Sequence, residues 1–229
     1  MRELADTSVY GSHLCHLFAD PQERRDAVVP FFKTGLAAGE CCILSLGNSR
    51  PDEIRRWYVE FESAGVDVSS ARGAGALIIT DDSDSRRYFR DATSVVRVRE
   101  AWLFLEGILT RFPAIRIASE MDWTAGLSPG AEQLCHWEAT FDLLIKETRI
   151  QALCLYDLNR LTPPEIHSAL RTHPSVRLND EMYLNSIYEA PEILAHEPNL
   201  NGSTANPETV SALLTQLRAS PTLKPPGWP

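Results

Sequence analysis

Four short, almost uninterrupted apolar runs, at residues 41–46, 76–80, 114–119 and 150–156, constrain this chain more than any other feature. Each is too short for a buried helix and lacks polar alternation, as expected of strands covered on both faces. Helical periodicity fills the intervals. Over 21–36 the residues Ala27, Val28, Phe31, Phe32 and Leu36 form one stripe, and Asp20-Pro21 supplies an N-cap and a first-turn proline. Residues 51–64 form a second helix with Ile54, Trp57, Tyr58 and Phe61 inward, ended by Gly65. Further helices are predicted over 94–112, 129–148 and 163–171, and a fifth strand at 176–178. Strands alternating with helices give an α/β fold with a mostly parallel sheet flanked by helices, because parallel neighbours need crossover connections. The first segment, Gly11-Ser12-His13-Leu14-Cys15-His16-Leu17-Phe18, reads as helix-like, with Leu14, Leu17 and Phe18 packed inward.

At 229 residues and 44% hydrophobic, the chain can bury one full core. A formal net charge of -9, with arginines scattered as Arg24-Arg25, Arg55-Arg56 and Arg86-Arg87, argues against direct nucleic-acid binding. Residues 1–10 hold no apolar core of a signal peptide, and no run approaches the roughly 20 apolar residues needed to span a bilayer. A soluble, cytoplasmic protein with no membrane partner is expected. The five cysteines, without CxxC spacing, read as buried thiols of a reducing compartment. Residues 9–190 are expected to form the α/β domain, and 191–229 a Pro-rich tail with a short helix at 207–219.

The approach Gly35-Leu36-Ala37-Ala38-Gly39-Glu40 into the first apolar run is how nucleotide-binding domains introduce a phosphate loop. The loop that follows, Gly47-Asn48-Ser49-Arg50-Pro51, lacks the lysine and the Gly-rich spacing that hold phosphate, and Pro51 removes a backbone donor. In parallel sheets ligands sit beyond the carboxyl ends of the strands. The candidates there are Gly47 to Arg50, Asp81 and Asp82, Glu120 to Trp123, and Asp157 to Arg160. Glu120 could serve a polar ligand group or Arg116, and Trp123 offers a flat apolar wall. Cys154 reads as a packed core thiol, whereas Tyr156 carries a hydroxyl toward the strand end. His13, Cys15 and His16 are the densest set of potential metal ligands, but alone they make only a strained partial set. Glu138 and His173 are further polar points without diagnostic spacing. No Ser-His-Asp order, HExxH, GxSxG or GxGxxG occurs, so no reaction is identified.

Taken together, the Gly11 to Phe18 segment, the Gly35 to Glu40 approach, Ala64-Gly65-Val66-Asp67-Val68, Gly75-Ala76-Leu77, the Arg116 to Trp123 run, Trp137-Glu138, Leu153-Cys154-Leu155-Tyr156-Asp157 and His173-Pro174 resemble the MEDS family. This is the methanogen and methylotroph sensory domain of DcmR-type regulators. The resemblance implies a divergent RecA/KaiC-like three-layer fold without a functional P-loop, and a sensory role toward small molecules such as hydrocarbon derivatives. It also implies that His13 and Cys15 are the characteristic His-x-Cys pair and that Glu120, Trp123 and Tyr156 are signature positions. Two positions depart from the pattern: Phe18 and Trp137 stand where tyrosine is common.

The expectation is a stand-alone sensory or regulatory protein, not an enzyme. It would bind a small ligand near the strand ends, gated by the His13 and Cys15 segment, and signal through a protein partner or a homo-oligomer, since no helix-turn-helix is recognised. The alternatives are an atypical nucleotide-binding or thiol-dependent enzyme of RecA-like fold, using Cys15 with His13 or His16, and a pure interaction protein. The residues name no cofactor.

Overall fold

The computed structural model describes residues 11–47, 51–80, 95–124, 130–194 and 205–223. In chain order the elements are β1 (Ser12–Phe18), α1 (Pro21–Ala37), β2 (Cys41–Ser45), α2 (Pro51–Ser63), α3 (Val68–Gly73), β3 (Leu77–Thr80), α4 (Val95–Leu109), β4 (Ile115–Glu120), a single 3-10 turn (Asp122–Thr124), α5 (Gly130–Ile145), β5 (Ile150–Asp157), α6 (Pro163–Thr172), β6 (Ser175–Leu178), β7 (Glu181–Leu184), α7 (Pro191–Leu194), α8 (Pro207–Arg218) and β8 (Thr222–Leu223). The strands form one eight-stranded sheet in the order β3-β2-β4-β5-β1-β6-β7-β8. It is parallel from β3 through β6, and the last two pairings, β6–β7 and β7–β8, are antiparallel. The α/β class and the mostly parallel sheet expected from the apolar runs are therefore present.

One expected element is of the wrong type. The segment read as helix-like is β1, a central strand paired in parallel with β5 on one side and β6 on the other. Both of its faces are buried, so Leu14 and Phe18 pack on one side while Cys15 and Leu17 pack on the other. A doubly covered strand shows no polar alternation, and a short apolar run cannot be told from a helix by period alone. The position also corrects the gating role. A strand hydrogen-bonded along both edges in mid-sheet cannot swing as a lid.

Alternation of side chains builds a three-layer core. On one face α1, α2 and α3 pack Phe31, Phe32, Trp57, Phe61 and Val68 against Cys42, Leu44, Ala118, Leu153 and Leu155. The opposite face is covered by α4, α5, α6 and α8, with Leu134, Trp137, Ile166, Leu170 and Leu217 over Cys15, Cys154 and Tyr156. The segment expected as a tail contributes α8 and β8: Val210 and Leu217 lie in the core, and β8 extends the sheet beside β7. All five cysteines are free and buried, as their apolar neighbours implied.

The Gly35 to Glu40 approach has a local structural cause. Arg116 of β4 lies across α1, donating to Glu40 at 2.6 Å and to the Phe31 carbonyl at 3.1 Å, with its guanidinium over the Phe31 ring. A Cβ on residue 35 would meet Arg116 Cδ at 2.6 Å, so glycine makes room for this crossing. Gly39, at φ +75°, takes the left-handed turn that leads the chain from α1 into β2.

Candidate functional site

The strand ends and the core beneath α5 hold two separate polar groups. At the strand ends Glu120 is nearly buried and ion-paired to Arg24 of α1, which also holds Glu53 of α2 at 2.9 Å. The Gly47 amide donates to the second Glu120 oxygen at 2.9 Å. Burial pushes Glu120 up to about 7, while Arg24 and the Gly47 amide restrain the rise. Arg116, four residues before Glu120 and so about 13 Å back along the strand, serves Glu40 instead. Asp122 is paired with Arg160, and a Cβ on Gly47 would come within 1.7 Å of Asp122 Oδ1. The absence of a side chain at Gly47 thus accommodates a carboxylate of the protein itself. Trp123 is buried in the core with Met121 and Trp137 and offers no open wall. Asn48 to Arg50, Asp81 and Asp82 lie outside the described residues.

The connection from β1 to α1 is two residues long, and its backbone donors are already used. Glu23 accepts from the amides of Ala19 at 2.9 Å and Asp20 at 3.2 Å, and Asp20 accepts from Gln22 at 2.6 Å. This reciprocal capping box follows from Asp20-Pro21-Gln22-Glu23.

The second group is a chamber only in the sense of an enclosed, mutually contacting cluster of polar side chains between the sheet and helices α5 and α6. It gathers His13 from β1, Glu138 and Asp142 from α5, Cys154 and Tyr156 from β5, and His173 just beyond α6, all with relative exposure of 6% or less. His13 Nε2 lies 2.9 Å from Glu138 Oε2 and 3.3 Å from Cys154 Sγ, and His13 Nδ1 faces Asp142 at 3.5 Å. Tyr156 donates to the other Glu138 oxygen at 2.5 Å, and Tyr188 donates to Asp142 at 3.1 Å. The rings of His13 and His173 have centroids 4.0 Å apart.

The electrostatics follow from the packing. Burial disfavours charge on His13, but Cys154, Asp142 and Glu138 outweigh it and hold its pKa well above the ordinary value. Burial likewise opposes charge on Glu138, yet the hydrogen bond and charge of His13, with the hydrogen bond from Tyr156, keep its pKa below the usual carboxylate range. His173 is lowered to about 4 by burial and by its neighbour His13, so its ring is neutral. Burial, then Glu138, pushes the Cys154 thiol up to about 12.

Of the residues singled out in the sequence, His13, Cys15 and Tyr156 share this face, whereas Glu120 and Trp123 do not join the chamber. Cys15 is buried beside it, its thiol raised by burial and by Cys154 and Glu138. His16 cannot complete a ligand set with His13 and Cys15. Alternation turns it to the opposite face, where its nitrogens lie 3.4 Å from the Arg177 carbonyl and 3.2 Å from that of Glu23. Cys154, read as a packed thiol, is in the chamber, together with Glu138 and His173. Asp142 and Tyr188 were not singled out for a role. The legible signal for the acids was their spacing: Leu134, Glu138, Asp142 and Ile145 lie on the inward stripe of α5, where unpaired carboxylates do not belong.

Among known proteins, the chain is 24% identical over 165 residues to the transcriptional repressor DcmR of Methylorubrum extorquens. That match covers 72% of this chain and 58% of the repressor, so the chain spans less than two thirds of that relative. Among the described residues no helix is long and apolar enough to cross a membrane. The model of the MEDS family, the MEthanogen/methylotroph, DcmR Sensory domain, matches residues 12–174, a span that takes in His13, Glu138, Asp142, Cys154, Tyr156 and His173, and the chain belongs to this family.

Proposed function

We propose that this chain is a cytoplasmic sensory or regulatory protein whose sensing element is the buried chamber around His13, and that it passes its state to a protein partner or a second copy of itself. The observation that carries this reading is the chamber itself. Burying two imidazoles, two carboxylates, a thiol and a phenol together is costly, and an apolar filling of similar volume would serve the fold at least as well. Family membership and the similarity to a transcriptional repressor support a regulatory output. The route outward runs through Tyr188, which links Asp142 to the segment before α7.

The strand ends favour sensing over nucleotide chemistry. Among the described residues Glu120 and Asp122 are paired with Arg24 and Arg160, and the amides at the β1–α1 connection are committed to Asp20 and Glu23. This supports a RecA/KaiC-like scaffold that has lost phosphate binding. Thiol catalysis is disfavoured because Cys15 and Cys154 are buried and held neutral.

Thermal-shift and native mass spectrometry of the purified chain with Mg-ATP and with small apolar compounds tests the reading. A shift with a small compound that disappears in His13→Ala supports it. ATP turnover abolished by Glu120→Gln overturns it.

A further inference from the structure

Four donor groups in the chamber converge from distant parts of the chain: His13, Glu138, Cys154 and His173 each offer a ligand atom, and these atoms all lie within 4.8 Å of one another. We propose that they form a four-coordinate site for a divalent transition metal of the zinc class. The inference rests on reading the chamber as the functional site, and names what occupies it.

The spacing is that of a coordination sphere. Zinc–ligand bonds near 2.0–2.3 Å in tetrahedral geometry separate neighbouring donors by about 3.3–3.6 Å. Four of the six donor pairs are 2.9 Å for His13 to Glu138, 3.3 Å for His13 to Cys154, 3.6 Å for Cys154 to Glu138 and 3.8 Å for His173 to Glu138, and the two between His173 and His13 or Cys154 lie within 4.8 Å. The first four bracket that range. The 2.9 Å pair is also an ordinary hydrogen-bond length, but His173 Nε2 is fully buried without a hydrogen-bond partner, which hydrogen bonding alone leaves unexplained.

The surrounding groups orient the ligands as metal sites require. His173 Nδ1 lies 2.8 Å from the Ala169 carbonyl, which can only accept, so Nδ1 carries the proton and Nε2 presents its lone pair to the chamber. Asp142 Oδ1 faces His13 Nδ1 at 3.5 Å, longer than a hydrogen bond, and Tyr156 donates to Glu138 Oε1, leaving Oε2 to the site. Two imidazoles, one carboxylate and one thiolate favour a tetrahedral, borderline-soft dication, and the two negative ligands match its charge. A coordinated thiol is deprotonated outright, so the neutral state of Cys154 without metal does not oppose binding.

The full chain, purified without chelator, is tested by elemental analysis and by reconstitution with Co²⁺ as a visible probe. The expected result is about one zinc per chain, and a thiolate-to-cobalt charge-transfer band that Cys154→Ser removes while the circular dichroism spectrum is retained. Asp142→Asn should weaken metal binding about 10–100-fold while keeping the band. His16→Gln, on the opposite face, should change neither. Should Cys154→Ser fail to fold, the band in the wild-type chain and its weakened titration in Asp142→Asn decide the matter. Failure of the wild-type chain to bind Zn²⁺ or Co²⁺, or a cobalt spectrum without a thiolate band, overturns the proposal. Metal content is read without any signalling assay. Loss of the metal site with a surviving His13-dependent ligand shift would refute this inference alone.

Discussion

Removing Glu40 should expose how much of this fold rests on one buried ion pair. Glu40 and Arg116 have side chains 5% exposed, joined at 2.6 Å beneath α1. Glu40→Ala leaves the guanidinium in a site that water scarcely reaches, and stranding one partner of a buried pair costs about 3–5 kcal/mol. Arg116 keeps its bond to the Phe31 carbonyl and its place over the Phe31 ring, so the lower end of that range, about 3 kcal/mol, is expected. Glu40→Leu combined with Arg116→Met removes both charges and should restore stability to within about 1–2 kcal/mol of wild type. Urea denaturation followed by tryptophan fluorescence measures the stability of each variant. The exposed Lys146–Glu192 pair is the control, and Lys146→Ala should leave the midpoint unmoved. A Glu40→Ala chain within about 1 kcal/mol of wild type would refute the reasoning, because the pair would then behave as an exposed one.

Other outcomes follow from neighbouring geometry. Gly35→Ala should cost about 1–3 kcal/mol by pressing on Arg116, and much less in an Arg116→Met background, read by the same denaturation. His16 is lowered from 6.5 to about 4 by burial and then by Arg177. The unfolded chain therefore binds its proton first, and stability falls as pH drops from 6.5 toward 4, by about 3 kcal/mol for this group. His16→Gln should flatten that part of the pH profile, and an unchanged acid slope would contradict the assignment. Tyr156→Phe removes a hydrogen bond to an ionised, fully buried Glu138 and should cost about 1.5–3 kcal/mol in thermal or urea unfolding.

The strands of the sheet were legible wherever burial on both faces produced a clean apolar run, as at Cys41–Ser45 and Ile150–Asp157. Helix starts were legible where capping chemistry marked them, as at Asp20-Pro21 and Thr162-Pro163. β1 was not, because its histidines break the run and its remaining apolar spacing also fits a helix. Short α3 and the antiparallel strands β7 and β8 carry too few residues for any period to emerge. The chamber was half visible. His13 stood out by local density, but its partners at 138, 154 and 173 are joined to it only by the crossing of β1, α5, β5 and the end of α6. No sequence interval encodes that meeting; the parallel register of Cys15 beside Cys154 does.

The capping box at the start of α1 carries a thermodynamic consequence. Glu23 and Asp20 supply, within the chain, negatively charged oxygens at the helix N-terminus, where an anion would otherwise be drawn by the free amides and the helix dipole. A tethered carboxylate is present at an effective concentration that dilution cannot lower. A fold completed by a diffusing anion gains stability in proportion to the logarithm of that anion's supply. Here the corresponding stabilisation is constant, so this helix start keeps its shape whether the surrounding solution is rich or poor in phosphate.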